Sequence, residues 1–289
     1  MPDLELGLPS PAMSIVDAPL FPWIVASLAA YVVAANLLWA IRSTARGARW
    51  LGSPYGRILL YAGSFFYYLV VPYLVLGGWW PFSGDVGLPG WQPQQGLLAL
   101  ADMGLVGLDR QWPVTRWLEA AGTGLALGLL SLFVLGLAWL NASRLSARRR
   151  PAGAVSGPLR PGRRLALAFA PRPWWAVLVG ALYLEVHWAF YRGALAVILD
   201  DVYAGVFLGL AVVCLEWLLS PFWRRGLTPP TGTAPDAGRT WLNVGLALTS
   251  ALLFLLSRNL WICLAVHWLL ALALRALARS PSATLQERA

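Results

Sequence analysis

Several residue types are scarce or missing in this 289-residue chain. Lysine is absent, so all 22 basic residues are arginines, and there are only 13 acidic residues, two histidines and two cysteines. Charged residues make up 12% of the chain, against about 25% in a typical soluble domain, which leaves too few to cover a water-facing surface. Cys214 and Cys263 both lie in apolar runs, without the spacing of a metal site or a disulfide framework. These scarcities exclude soluble, disordered and disulfide-stabilised secreted proteins.

Long apolar segments take the place of the missing charges. Hydrophobic residues make up 58% of the chain, and the mean hydropathy is +0.63. A membrane-spanning helix needs about 20 mainly apolar residues. Seven segments qualify, some of them short: Phe21–Ile41, Ile58–Gly78, Trp117–Leu140, Trp174–Leu199, Val202–Ser220, Thr240–Leu256 and Leu260–Leu277. The sequence therefore predicts an all-α, polytopic integral membrane helix bundle of about seven transmembrane helices, with an interfacial or re-entrant segment near residues 96–107.

The arginines predict how this bundle is oriented. They cluster after the first, third and fifth predicted spans and in the C-terminal tail, whereas the alternate loops contain aspartates. Positive residues favour the cytoplasmic side, and short clusters between apolar runs suit anionic lipid better than nucleic acid. We therefore expect an extracytoplasmic N-terminal segment (1–20), three spans within 21–142, a basic cytoplasmic loop (143–173), four spans within 174–277 and a cytoplasmic tail (278–289). The expected location is the bacterial cytoplasmic membrane.

Four ionisable side chains lie well inside the predicted spans, and a fifth, that of Arg192, lies in the outer part of the fourth span. The five are Glu185, His187, Arg192, Glu216 and His267, and they include both histidines of the chain. A charged group inside a bilayer costs about 3 kcal/mol or more, so such residues are candidates for function by default. We take these five as the candidate catalytic set. The helical rise places the two imidazoles near mid-bilayer, and we expect them in neighbouring positions in the bundle interior.

Helix geometry gives further expectations for this set. Glu185 and Arg192 share a face, but they are ~10 Å apart along the axis, so we expect that another span supplies a donor to Glu185 or that its carboxyl is protonated. His187 lies about 200° around the helix from Glu185, so ideal helix geometry does not put the two on one metal. Either the helix is irregular there, or only one of them faces a shared site. Glu216 is four residues from its cytoplasmic boundary, where it could reach the interface and need no partner. With two imidazoles and no well-placed third ligand, no tightly bound zinc is expected.

Two stretches around these residues match the pattern of a known family. The stretch Glu185-Val-His-Trp-Ala-Phe-Tyr-Arg192-Gly193 and the later stretch Asn259-Leu-Trp-Ile-Cys-Leu-Ala-Val-His267 resemble the first and last motifs of the CAAX protease and bacteriocin-processing family. The resemblance covers roughly residues 175–277. It implies an intramembrane peptidase core acting on prenylated or membrane-anchored peptides, in which a glutamate activates water with the help of histidines. In this chain Glu185 or Glu216 would take that role, assisted by His267.

The chain departs from the family pattern at three places. His187 and Trp188 stand where the family has paired glutamates, the central histidine has no counterpart, and Ala271 stands where an asparagine is expected. Only Arg192, Gly193 and His267 carry over directly. The resemblance thus implies a CAAX-protease-like protein with a degenerate or weakly active peptidase site.

Two other functions fit the same features. One is a non-catalytic subunit of a membrane complex, in which His187 or His267 binds a pigment or haem, or only hydrogen-bonds a neighbour. The other is a transporter gated by Glu185 and Arg192, although the chain shows no repeated half-structure. The bilayer is the expected partner in each case, with other membrane subunits as further partners of the non-catalytic form.

Overall fold

A computed structural model describes residues 20–76, 113–148, 173–220 and 236–279 of the chain. All regular secondary structure in these ranges is helical. The helices are α1 (Phe21–Ser43), α2 (Ala45–Gly52), α3 (Pro54–Phe65), α4 (Val71–Leu76), α5 (Val114–Arg148), α6 (Trp174–Leu199), α7 (Val202–Leu219), α8 (Asp236–Ser257) and α9 (Leu260–Arg279). The prediction of an all-α protein is thus confirmed for the described residues. The segments 1–19 and 96–107 and the tail beyond residue 279 lie outside them.

Five helical stretches in the described residues are long and apolar enough to cross a membrane. They are Phe21–Ser43, Pro54–Leu76, Val114–Asn141, Val202–Leu219 and Leu260–Leu277. Large apolar side chains such as Val33, Ile58 and Phe133 are exposed on these helices, as expected where lipid rather than water is the surroundings. The chain is therefore an integral membrane protein. Helix α6 is long enough to span but contains charged residues, and the apolar part of α8 is shorter.

Local sequence signals set the ends of several helices. The Thr44 side chain accepts a hydrogen bond from Gly47 N (3.0 Å) to start α2, and Ser53 does the same with Gly56 N (3.1 Å) to start α3. Helix α5 continues to Arg148, so the first residues of the predicted basic loop are helical. Between α8 and α9, Arg258 adopts a left-handed conformation and Asn259 Oδ1 caps α9.

A π-helical turn, Phe66–Val70, joins α3 to α4. Pro72 follows the turn and has no N–H to donate to the carbonyl of Tyr68, so a regular α-helix cannot continue through this point. The wider turn absorbs the break without ending the helix. Its effect is to present two consecutive tyrosines, Tyr67 and Tyr68, to the centre of the bundle.

Helix α6 is the centre of the bundle. It packs against α1, the π-helical turn, α4, α7 and α9, and every residue from 185 to 195 is buried. Its closest partner is α7, because Gly205 and Gly209 allow the backbones to touch: a methyl group added at Gly205 would lie 2.5 Å from the Ala196 Cα. A helix buried on all sides can hold polar groups on more than one face, provided that its neighbours supply partners.

The side-chain pairings give the relative directions of the other helices. Gly124 lies against Ile262 and Gly136 against Leu277, so α5 and α9 run parallel. Gly245 lies against Leu135, and Thr249 donates to Ser131 Oγ (2.9 Å), so α8 runs antiparallel to α5.

Candidate functional site

The Glu185 carboxylate is the centre of a fully buried polar cluster on one face of α6. Its Oε1 lies 2.8 Å from His267 Nδ1, and its Oε2 accepts hydrogen bonds from Ser250 Oγ (2.6 Å) and Arg192 Nη2 (3.3 Å). We call Glu185, Arg192, Ser250 and His267 the Glu185 cluster. Donors from α8 and α9 meet the carboxylate, which confirms the prediction that other spans supply them. The prediction that Arg192 is too distant is wrong.

The contact between Arg192 and Glu185 follows from the direction of side chains in a helix. Side chains lean toward the N-terminus of their helix, and the long arginine stem lets its guanidinium reach back over the two turns to Glu185. Arg192 Nη1 also donates to Ser250 Oγ (3.0 Å), and the guanidinium carbon lies 4.7 Å from the centre of the Phe254 ring. The distance of ~10 Å is the helical rise between the two backbone positions, and it does not include the length of the arginine side chain.

His267 is oriented by two contacts. Its Nδ1 faces Glu185, which as a carboxylate can only accept, so Nδ1 carries the hydrogen and Nε2 keeps the lone pair. Its ring stacks on Trp188 of α6, with centroids 5.5 Å apart and planes 17° from parallel. A carboxylate that fixes the tautomer of a histidine is the arrangement by which the second nitrogen becomes a general base. Glu185 is thus placed to orient a base, since both of its own oxygens are occupied.

A small cavity adjoins this cluster between α6, α7 and α8. It has room for about one water molecule and is lined by Trp188, Arg192, Gly209, Leu210, Val213, Ala247 and Ala251. Arg192 Nε is buried and has no hydrogen-bond partner. The guanidinium is therefore incompletely satisfied next to the cavity.

A second polar cluster lies on the other face of α6. His187 Nε2 is 3.0 Å from Glu216 Oε1 and 3.2 Å from Oε2, and the Tyr191 and Tyr67 hydroxyls donate to Oε1. Ser27 Oγ lies 3.1 Å from the Tyr191 hydroxyl and 3.2 Å from that of Tyr67. We call these five residues the His187 cluster. It joins α1, the π-helical turn, α6 and α7.

The structure corrects the prediction for Glu216. Its side chain is buried, with 2% exposure, and has three partners instead of reaching the interface alone. Its depth therefore matches that of His187, contrary to the expectation from its distance to the end of the helix. The prediction was based on the four residues between Glu216 and the end of its span. It did not include the antiparallel packing of α6 and α7, which places Glu216 beside His187.

The two histidines are both in the bundle interior, as predicted, but they belong to separate clusters. Glu185 and His187 point to opposite faces of α6, as the helical angle predicts, and each pairs with a residue from a different helix. Among the described residues, no group of three or more His, Cys, Asp or Glu side chains is placed to hold a metal ion.

Four of the clustered residues were not in the predicted set. Ser250, Ser27, Tyr67 and Tyr191 are uncharged and common in membrane helices, so composition does not distinguish them. Tyr191 follows His187 by four residues and so shares its face, a signal that could have identified it. The other three come from helices far away in the chain and carry no comparable sequence signal.

Comparisons with protein-family models, with curated proteins and with solved structures give no match to this chain. The functional argument therefore depends on the geometry of the fold and of the two clusters.

Proposed function

We propose that the chain crosses the bacterial cytoplasmic membrane seven times, with the N-terminus outside and the C-terminus inside. The helix directions support this arrangement, because α5 and α9 run parallel while α8 runs opposite to α5, as required of the third, seventh and sixth spans. The arginine distribution supplies the absolute orientation. Reporter fusions after residues 150, 200 and 232 should report inside, outside and inside. A translocated loop at residue 150 would contradict the topology.

Within that topology, we propose a CAAX-protease-like intramembrane protein with a weakly active peptidase site. The observation that carries the proposal is the buried Glu185–His267 pair, at 2.8 Å, with Arg192 on the same carboxylate. Glu185 and Arg192 come from the first motif of the resemblance and His267 from the last. These residues are more than 70 positions apart in the chain, so their contact supports the idea that the two stretches form one site.

The geometry favours particular roles for these residues. His267 would accept a proton from water through Nε2, and Glu185 would hold its tautomer and stabilise the imidazolium that forms. Arg192 and Ser250 would keep the carboxylate ionised and in place. The initial assignment of Glu185 as the base is less favourable, because its oxygens already accept three hydrogen bonds. His187 and Glu216 lie outside this site.

The same geometry argues for a weak enzyme. Acyl transfer requires a preorganised donor for the developing oxyanion. One N–H of each terminal nitrogen of Arg192 is bonded within the cluster, so the guanidinium is held on the Glu185 carboxylate and Ser250 instead of being directed at a substrate. The adjoining cavity has room for about a single water molecule, which is too small for a peptide, so the surrounding helices would have to move apart to admit a substrate there.

The experiment is proteolysis of a prenylated or membrane-anchored peptide by the purified protein in a lipid nanodisc. We expect slow cleavage that falls about 100-fold or more in His267→Gln, as removal of a general base predicts, and that also falls in Glu185→Gln. Ser131→Ala, which removes a hydrogen bond to Thr249 outside the Glu185 cluster, is the matched control and should keep the activity. Cleavage that persists in His267→Gln would refute the proposal.

The alternative is a non-catalytic subunit of a membrane complex. It is favoured by the saturation of both carboxylates, since internal donors surround them as in a structural network. Absence of cleavage by the unmodified protein would support it. Pigment binding at His187 is disfavoured, because the rings of Tyr67, Tyr68 and Tyr191 lie within 5.0 Å of the imidazole and occupy the space of a macrocycle. A visible absorption band of the purified protein would contradict that argument.

A further inference from the structure

The His187 cluster differs from the Glu185 cluster in its charge balance. Glu185 is paired with Arg192, so one negative and one positive charge cancel and His267 can stay neutral. Glu216 has no arginine partner among the described residues, and its only ion-pair partner there is His187. Both side chains are buried, with 1% exposure for His187 and 2% for Glu216.

An ionised carboxylate beside a neutral imidazole would leave one net negative charge inside the bilayer. Such a charge is strongly disfavoured in an apolar interior, and no arginine lies beside it among the described residues to compensate it. One bound proton removes the imbalance, whether it resides on the imidazole or on the carboxyl. We propose that the His187–Glu216 pair is a buried proton-binding site that holds this extra proton.

The surroundings favour the imidazole as the carrier of the proton. The Tyr67 and Tyr191 hydroxyls donate to Glu216 Oε1, which stabilises the ionised carboxylate. Three tyrosine rings lie 4.8 to 5.0 Å from the imidazole, one tilted and two edge-to-face with respect to it. His187 Nδ1 is buried without a hydrogen-bond partner, and in the doubly protonated ring its N–H would lie among these tyrosine rings.

Within the described residues, no other charged group lies beside the pair to balance the charge of the Glu216 carboxylate. The titratable and polar groups that face His187 come from four elements: Ser27 and Tyr31 on α1, Tyr67 and Tyr68 on the π-helical turn, Tyr191 on α6 and Glu216 on α7. Glu185 and Arg192 occupy the opposite face of α6 and neutralise each other. The extra proton therefore belongs to the His187–Glu216 pair.

The hydroxyls of Tyr67, Ser27 and Tyr191 close a ring of hydrogen bonds on Glu216. Hydroxyl groups both donate and accept, so this ring can reorient its hydrogens when the pair gains or loses the proton. The site is independent of the proposed peptidase pair, which uses different side chains.

The chain offers a direct test because it contains only two histidines. The full-length protein, labelled with 15N-histidine and 13C-glutamate, is reconstituted in nanodiscs of neutral and anionic lipid and measured by NMR. Contacts to Trp188 identify His267, and contacts to Tyr67 and Tyr68 identify His187, so no substitution is needed for assignment.

We expect both ring nitrogens of His187 to be protonated, and only Nδ1 of His267. A neutral His187 beside a protonated Glu216 would also support the site, since the pair still holds the proton. A neutral His187 beside an ionised Glu216 would overturn it. In Glu216→Gln the compensating carboxylate is gone, so His187 should lose its second proton while His267 is unchanged; a His187 that stays doubly protonated in this variant contradicts the pairing. Tyr183→Phe, which removes the hydroxyl from the ring stacked on Tyr68, is the control and should leave both histidines unchanged.

Discussion

Arg192 and Glu185 form an ion pair at 3.3 Å within a single helix, although seven residues separate them. The pair is buried, and the guanidinium is the compensating cation for the carboxylate within the described cluster. Ser250 links the two through a hydrogen bond to each. The ion pair therefore links two turns of α6 to each other and, through Ser250, links α6 to α8.

Replacement of Arg192 should destabilise the protein strongly. Arg192→Met leaves Glu185 buried without its cation, and removal of one partner of a buried pair typically costs about 3–5 kcal/mol. The double variant Glu185→Gln/Arg192→Met should be more stable than Arg192→Met alone, because no charge is left unpaired. Reversible unfolding in mixed micelles measures both free energies. Equal stability of Arg192→Met and the unmodified protein would contradict the pairing.

The Tyr191 hydroxyl should contribute measurably to stability. Tyr191→Phe removes its hydrogen bonds to Glu216 and Ser27, and the loss of a buried partner of a charged group costs about 1–3 kcal/mol. Tyr183→Phe serves as the matched control on the same helix, because Tyr183 belongs to neither of the two clusters. Thermal unfolding of the three proteins in one detergent gives the comparison. A shift in Tyr183→Phe as large as that in Tyr191→Phe would argue against a specific role for the hydroxyl.

The close approach of α6 and α7 depends on Gly205. In Gly205→Ala the new methyl would lie 2.5 Å from backbone atoms of Ala196, so the helices must separate, at a cost of about 1–3 kcal/mol. Gly180→Ala on α6 is the control, since nothing lies within 4 Å of the added methyl. That variant should be unchanged or slightly more stable, because alanine favours helix. Both are measured by thermal unfolding, and the opposite order of stabilities would disprove the contact.

The turn between α8 and α9 should prefer glycine at residue 258. Arg258 has φ of 48°, and its N–H donates to the Phe254 carbonyl at 2.7 Å to close α8. Arg258→Gly should stabilise the fold by up to about 1 kcal/mol, because glycine adopts this conformation without strain. Arg258→Val should destabilise it, since a β-branched residue is poorly tolerated there. Unfolding free energies in the same micelles decide the order of the three proteins.

The sequence predicted the helices more accurately than the contacts between them. The predicted span Trp174–Leu199 coincides with α6, and the predicted span Val202–Ser220 is one residue longer than α7. The end of α6 and the start of α7 were predicted correctly because the paired aspartates 200 and 201 mark the turn between them. The π-helical turn was not predicted, since hydropathy does not distinguish it from an α-helical turn. Pro72 is the sequence feature that accompanies it.

All five candidate residues lie in the two buried polar clusters, but their partners there were only partly predicted. The helical angle between Glu185 and His187 correctly placed them on opposite faces, because it depends only on the backbone. The contacts of Arg192 and Glu216 depend on side-chain reach and on the packing of α6 against α7. Those quantities are properties of the assembled bundle and cannot be obtained from positions along one helix.

The polar groups on opposite faces of α6 have a consequence for how the protein is made. When α6 first leaves the ribosome, Glu185 and Arg192 come from the same segment, but His187 has no carboxylate partner until α7 is synthesised. Because the turn between α6 and α7 is short and their backbones touch at Gly205, the two helices are suited to enter the bilayer together as a hairpin. Ser250 and His267 arrive only with α8 and α9, so the Glu185 cluster is completed last. The order of translation thus matches the order in which the buried charges acquire their partners.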